Sequence, residues 1–377
     1  MKNKIWLSAP HMYGNELFFI EDALQKNWVT SQGENIDEFE LSLSLFLKNN
    51  VNVCALHSAT SAIHLALLML GVSLNDEVIT SSFSFCASAN PIAYCGATPI
   101  FIDSEKETWN MCPVALREAI EDRIYKGKKP KAIIVVHLYG MPAKMDEITQ
   151  IAQEFDIPVI EDAAEALGST YKGKTCGTFG RFGILSFNGN KIITTSGGGA
   201  LVCHTQEDKG QAVFLSTQAR DNAPHYQHSQ IGYNYRMSNI LAGIGRGQME
   251  VLADRVEARR KMHDFYVEIF KDIDGVDVLC EPTENFYSNH WLSAIVVDGN
   301  KTGKTREDLR LAFLEDNIES RPLWKPMHLQ PVFANAPYYG TNVAEKLFDD
   351  GLCLPSGSNL SDEDRSRIEE VITKFFS

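Results

Sequence analysis

The sequence predicts an α/β protein: a large domain with a mostly parallel central sheet flanked by helices, and a smaller C-terminal α+β domain. Three observations lead there. Over roughly the first 250 residues, short β-rich runs alternate with helical patterns, the mark of strand-helix-strand units. A long helical pattern then covers 238–271. At 377 residues, the chain also exceeds the usual reach of one hydrophobic core.

Candidate strands lie at 51–56, 77–80, 99–103, 132–137, 158–162 and 183–187, each ending near a polar or glycine-rich turn. In open sheets of this kind ligands gather beyond the carboxyl ends of the strands, so chemistry is sought in those turns. The pattern over 238–271 carries Leu241, Ile244, Met249, Leu252, Val256, Met262, Tyr266 and Phe270. It reads as a linking helix between a large cofactor-binding domain over 1–250 and a small domain over 251–377. Beyond it come a strand-like stretch at 290–297, a helix at 305–317 and a last helix from Ser361, whose Asp362 and Glu363 suit the positive end of the helix dipole.

The formal net charge of −14 opposes non-specific contact with nucleic acid or anionic membrane, so any phosphorylated ligand must be met by local donors. The eight cysteines are scattered, with neither a Cys-x-x-Cys pair nor a zinc-like spacing to histidine. Several sit in apolar runs such as Val53-Cys54-Ala55, where a thiol behaves as a small hydrophobe. No metal site is expected, and a reduced cytoplasm fits best. No uncharged apolar run reaches the ~20 residues a bilayer requires, and the N-terminus lacks a signal-peptide core.

The strongest chemical signal is a pair of segments. Val159-Ile160-Glu161-Asp162 is an apolar strand ending in a carboxylate, and Ser186-Phe187-Asn188-Gly189-Asn190-Lys191 delivers a lysine into a polar turn ahead of Gly197-Gly198-Gly199. Pyridoxal chemistry needs both: an amine that condenses with the cofactor aldehyde, and a carboxylate that keeps the pyridine nitrogen protonated. Either residue alone is more often an ordinary strand-end turn. Together with their flanks they resemble the sugar aminotransferases of the DegT/DnrJ/EryC1/StrS family, which have the fold-type I aminotransferase architecture, and the resemblance runs over nearly the whole chain.

That resemblance implies pyridoxal 5'-phosphate as cofactor, with Lys191 as the catalytic residue that holds it. In His57-Ser58-Ala59-Thr60-Ser61-Ala62, Thr60 and Ser61 are the implied phosphate ligands at a strand-to-helix turn, although the same cluster also reads as a helix N-cap. Ser186 joins them. Phe85 matches the position that stacks on the cofactor ring, Asp162 the partner of its nitrogen, and Glu165 a position often held by Gln or His near its hydroxyl. Asn234, in Gly232-Tyr233-Asn234-Tyr235-Arg236, matches an asparagine that reaches the cofactor phosphate of the neighbouring subunit, which implies a homodimer with a shared active site. The chain departs from the family pattern at Ala59, Arg181 and Gly197.

With Arg321-Pro322-Leu323-Trp324-Lys325-Pro326-Met327-His328, the lysine turn most resembles enzymes that aminate C-4 of a UDP-linked 4-keto-6-deoxy-N-acetylglucosamine, with L-glutamate as donor, on the route to bacillosamine-type sugars. Arg321, Lys325 and His328 are the expected substrate-side cations. GDP-perosamine-type and dTDP-sugar aminotransferases are close alternatives. A sugar dehydratase would replace the lysine by histidine, and a non-catalytic cofactor-binding regulator would show no amine transfer. Two further motifs read as structural: Asn300-Lys301-Thr302-Gly303-Lys304-Thr305 lacks the first glycine of a phosphate loop, and Gly243-Ile244-Gly245-Arg246-Gly247 lies inside a helical pattern.

Overall fold

A computed structural model describes residues 2–377. The large sheet takes β1 (Asn52–Leu56), β2 (Glu77–Ser81), β3 (Thr98–Ile102), β4 (Ala132–Val136), β5 (Val159–Asp162), β6 (Phe182–Ser186) and β7 (Gly199–Cys203). The second sheet takes β8 (Val276–Val278), β9 (Ser293–Val297), β10 (Arg321–Pro322) and β12 (Gly351–Leu354), while β11 (Tyr338–Tyr339) returns to the edge of the first. Spatial order in the large sheet is β1-β7-β6-β5-β4-β2-β3-β11. All neighbours from β6 to β11 run parallel, as expected of strands buried on both faces.

The exception is β7, which pairs antiparallel with both β1 and β6. Its apolar run, 199–203, has no alternation to separate it from a parallel strand, and it is not among the candidate strands of the sequence. Consequently the polar segment between β6 and β7 doubles back over the sheet's carboxyl end, with Phe187 N–H donating to the Gly198 carbonyl at 2.9 Å. Gly199 is where β7 passes the start of α3 (Ala59–Met69): a Cβ there would stand 2.2 Å from the Ala59 nitrogen. Gly199→Ala is therefore expected to destabilise the fold by about 1–3 kcal/mol, the usual cost of forcing a carbon into packed space, read as a lower denaturant midpoint.

The expected single helix over 238–271 is two helices. The first, Asn239–Met249, packs between α1 (Asn15–Gln25) and α2 (Glu34–Leu47); a Cβ on Gly245 would meet the Phe39 ring at 2.7 Å, which accounts for the glycine motif. The chain then turns at Glu250-Val251, where Val251 leaves helical geometry (φ −119°, ψ 11°), because both Val251 and Leu252 are buried there. The second helix, Leu252–Phe270, makes the link alone. Leu252 and Val256 enter the core under the large sheet, while Met262, Tyr266 and Phe270 pack with Ile295, Phe313 and Ile368 beside the small one. Ile5 joins that second core and bridges to Ile318, so this part of the N-terminal segment packs beside the small sheet.

In the phosphate-loop look-alike, Asp298 caps a short helix at Gly299–Thr302, and Thr305 with Asp308 forms a capping box for the next helix. Among the described residues no helix is long and apolar enough to cross a membrane, and none of their clusters of His, Cys, Asp or Glu could hold a metal ion.

Candidate active site

At the carboxyl ends of β1, β5 and β6 lies a cavity of about 610 Å³, within the range of small-molecule sites. Lys191 reaches it from the turn after β6, which is closed by its own N–H donating to the Asn188 carbonyl at 3.0 Å. Its Nζ stands 3.1 Å from Glu165 Oε1 and 3.9 Å from the centre of the Trp291 ring. Glu165 is buried, and its second oxygen accepts the Tyr139 N–H at 2.8 Å. Burial pushes the Glu165 carboxyl up, against the opposing pull of the Lys191 ammonium and the Tyr139 N–H.

β5 supplies two carboxylates that point to opposite faces, as alternation along a strand demands. Glu161 turns inward. It accepts the backbone N–H of Gly177 and of Gly180, each at 2.8 Å, and meets His137 Nε2 at 2.9 Å. The Ala143 N–H donates to His137 Nδ1 at 3.0 Å, which puts the ring proton on Nε2, facing Glu161. Asp162 turns into the cavity, where Ser88 Oγ donates to one oxygen at 2.6 Å and the Ala164 N–H to the other at 3.2 Å. The buried network beneath thus fixes the strand that aims Asp162.

The opposite wall is the start of α3. Ser58 is its N-cap and accepts the Ser61 N–H at 3.1 Å, while the N–H groups of Ala59 and Thr60 donate to no acceptor among the described residues. With the hydroxyls of Thr60 and Ser186 at the same cavity, this is an anion site by construction. Ser61 does not line the cavity: it is buried, bonded to Ser58 Oγ at 2.8 Å, and supports the cap from behind. Phe85 is 54% exposed at the mouth, 5.7 Å from the Trp324 ring. A nucleophilic amine, a buried carboxylate, an exposed ring and a free helix start fit pyridoxal phosphate group by group.

Of the expected substrate-side cations only Arg321 lines the cavity. It is already paired with Glu319, from Nη2 to Oε1 at 2.7 Å. Lys325 is exposed and outside it. His328 is held elsewhere, with Nδ1 2.6 Å from Ser82 Oγ, Nε2 3.2 Å from Glu345 and its ring stacked on Tyr338 at 3.8 Å. The three do not form one basic cluster, because the Pro326-Met327 turn carries the chain away after Trp324. Asn234 is exposed and outside its own chain's cavity; Arg236, two residues on, anchors the segment by pairing with Glu40 and donating to the Ala55 carbonyl at 3.0 Å. Sequence reasoning missed Leu7, Ser8 and Trp291, which come from remote parts of the chain and carry no local motif, and gave no role to Ser88, three residues after Phe85.

Residues 12–373 match the model of the DegT/DnrJ/EryC1/StrS aminotransferase family. The chain belongs to that family. EpsN of Bacillus subtilis (strain 168), provisionally assigned as a pyridoxal phosphate-dependent aminotransferase, is 49% identical over all of this chain and 97% of its own length. GDP-perosamine synthase of Escherichia coli O157:H7 is 37% identical over 98% of this chain and 97% of its own. Among solved structures, the pyridoxal phosphate form of the sugar aminotransferase Spr1654 of Streptococcus pneumoniae, itself a provisional assignment, superposes with a TM-score of 0.89 at 28% identity, covering 99% of each chain. The protein is a pyridoxal phosphate-dependent sugar aminotransferase of the DegT/DnrJ/EryC1/StrS family. Two of its departures from the family pattern now have a place. Arg181 forms a bidentate ion pair with Asp208, away from the cavity, whereas Gly197 lines the cavity with open space where a side chain would stand.

Proposed function

We propose that this aminotransferase carries an amino group from L-glutamate to the C-4 ketone of a UDP-linked 4-keto-6-deoxy-N-acetylhexosamine, for bacterial glycan synthesis of the bacillosamine type. The observation that carries the reading is the continuity of the cavity from Lys191 to Arg321 and Trp324, the start of the segment that resembles the C-4 aminating enzymes. Pyridoxal phosphate, when bound, supplies an electron-accepting ring. Lys191 would hold it covalently and, when free, its Nζ would accept and return the proton that amine transfer requires. Asp162 would keep the ring nitrogen protonated, Phe85 and Glu165 would flank the ring and its hydroxyl, and Thr60, Ser186 and the start of α3 would hold the phosphate.

Asn234 completes this site in a second copy of the chain, which its exposure outside its own cavity supports. Mixing Lys191→Ala protein with Asn234→Ala protein should then restore up to about a quarter of wild-type activity, because hybrid dimers contain one intact site. No recovery despite demonstrated subunit exchange would return Asn234 to its own chain. We place the enzyme in the cytoplasm, a setting that suits eight unpaired cysteines among the described residues.

The nucleotide diphosphate is met partly by Arg321, which must exchange Glu319 for it. Since that side chain is largely exposed, Arg321→Ala should weaken sugar-nucleotide binding roughly threefold to tenfold, less than a buried charge-assisted bond would lose. The glutamate half-reaction should stay near normal. Equal damage to both halves, in single-turnover measurements, would assign Arg321 to the amino-acid carboxylate. Lys325→Ala should have a smaller effect on either half.

A GDP-linked ketone is the second reading, favoured by the 37% identity to a GDP-perosamine synthase. Incubation with glutamate and a panel of UDP-, GDP- and dTDP-linked 4-keto sugars, read by mass, separates the two. Preference for a GDP or dTDP sugar would refute the UDP assignment and leave amine transfer standing.

A further inference from the structure

Two donors from opposite regions of the chain converge on the peptide oxygen just before Lys191. Ser8 Oγ and the Trp291 indole N–H both donate to the Asn190 carbonyl, each at 2.7 Å. Behind both stands Arg259, on the linking helix Leu252–Phe270. One arm of its guanidinium, Nη2, donates to Ser8 Oγ at 2.9 Å; the other, Nη1, donates to the Trp291 carbonyl at 2.6 Å and the Ser356 carbonyl at 3.1 Å. Arg259 is 1% exposed, and no carboxylate pairs with it among the described residues. A buried cation without a counter-ion is costly, so its value must lie in what its donors hold.

What they hold is otherwise loosely built. The turn contains Gly189, where nothing lies within 4 Å of a would-be Cβ, and one short-range bond closes it, from the Lys191 N–H to the Asn188 carbonyl. A lysine side chain adds its own rotational freedom. Fixing the Asn190 carbonyl fixes the peptide plane from which the Lys191 backbone departs. Trp291 acts twice, since its ring also lies 3.9 Å from Lys191 Nζ.

We propose that Arg259 is a positioning residue for Lys191, acting through Ser8 and Trp291, which clamp the Asn190 carbonyl and so fix where the lysine amine stands. The clamp rests on the reading of Lys191 as the residue that bonds the cofactor. It ties that amine to the linking helix and to the small sheet, through Ser356 and Trp291.

The test compares two probes on the apoprotein: pyridoxal phosphate, which bonds covalently to the lysine, and pyridoxamine phosphate, which does not. Trp291→Phe keeps the ring and removes the N–H; Ser8→Ala removes the hydroxyl. Each change leaves one donor in place, so each should weaken pyridoxal phosphate about threefold, and both together on the order of thirtyfold, more than the product of the two. Affinity for pyridoxamine phosphate should be unchanged. Ser8→Thr should rescue, and Arg259→Lys, if it folds, should follow the double variant. Equal weakening of both probes, or a double variant no worse than the product, would overturn the clamp. Lys191→Ala is titrated alongside. If it binds pyridoxal phosphate as tightly as wild type, the attachment reading itself falls; if it binds more weakly while the clamp variants match wild type, only the clamp falls.

Discussion

Lys191→Ala is expected to abolish amine transfer, with a loss of at least ~10⁴-fold in turnover, because one side chain is both the covalent anchor and the proton carrier. No neighbour can substitute. Glu165, 3.1 Å away, has no amine with which to bond the cofactor and its second oxygen accepts the Tyr139 N–H, while the remaining wall beside the amine is the Trp291 ring. The variant should still retain pyridoxamine phosphate, since the start of α3, Ser186 and Asp162 are untouched. Single-turnover mixing of the pyridoxal phosphate-loaded variant with glutamate checks the first half of this expectation, and dialysis of its pyridoxamine phosphate complex checks the second. Substantial residual transfer would mean that another group moves the proton.

The second large effect is expected at Asp162. Asp162→Asn preserves shape, and its oxygen can still accept the Ala164 N–H while its amide NH2 donates to a Ser88 hydroxyl turned toward Ser84, yet it removes the negative charge that holds a proton on the cofactor nitrogen. Turnover should fall on the order of 10²–10³-fold, the scale on which one preorganised electrostatic group acts. Thermal stability should change little, because one hydrogen bond persists and the other can reverse its direction. A variant of near-normal activity would show that the ring nitrogen is served by a different group.

Lysine and carboxylate were legible because each stands at the end of a strand whose apolar run is visible locally. Strand ends fell within one or two residues of the reading at β1, β2, β3, β4, β5 and β6. The helix start with its Ser and Thr cluster was legible for the same reason. What escaped was non-local. Ser8 and Trp291 reach the lysine turn from remote parts of the chain, so no spacing announces them. The antiparallel course of β7 depends on which strands it joins, and its own residues do not encode that. His328 misled because charge adjacent in sequence to Arg321 was taken as charge adjacent in space. Four residues after Trp324, the chain has turned to Ser82 and Glu345.

The claim on which the rest depends is that Lys191 is the residue bonded to pyridoxal phosphate. Borohydride reduction of the holoprotein, followed by digestion and mass mapping, tests it directly. The account predicts loss of the visible absorbance and one mass increment, on the peptide containing Lys191. A stable label on any other lysine, or cofactor that dialyses away unreduced from an active enzyme, would contradict it.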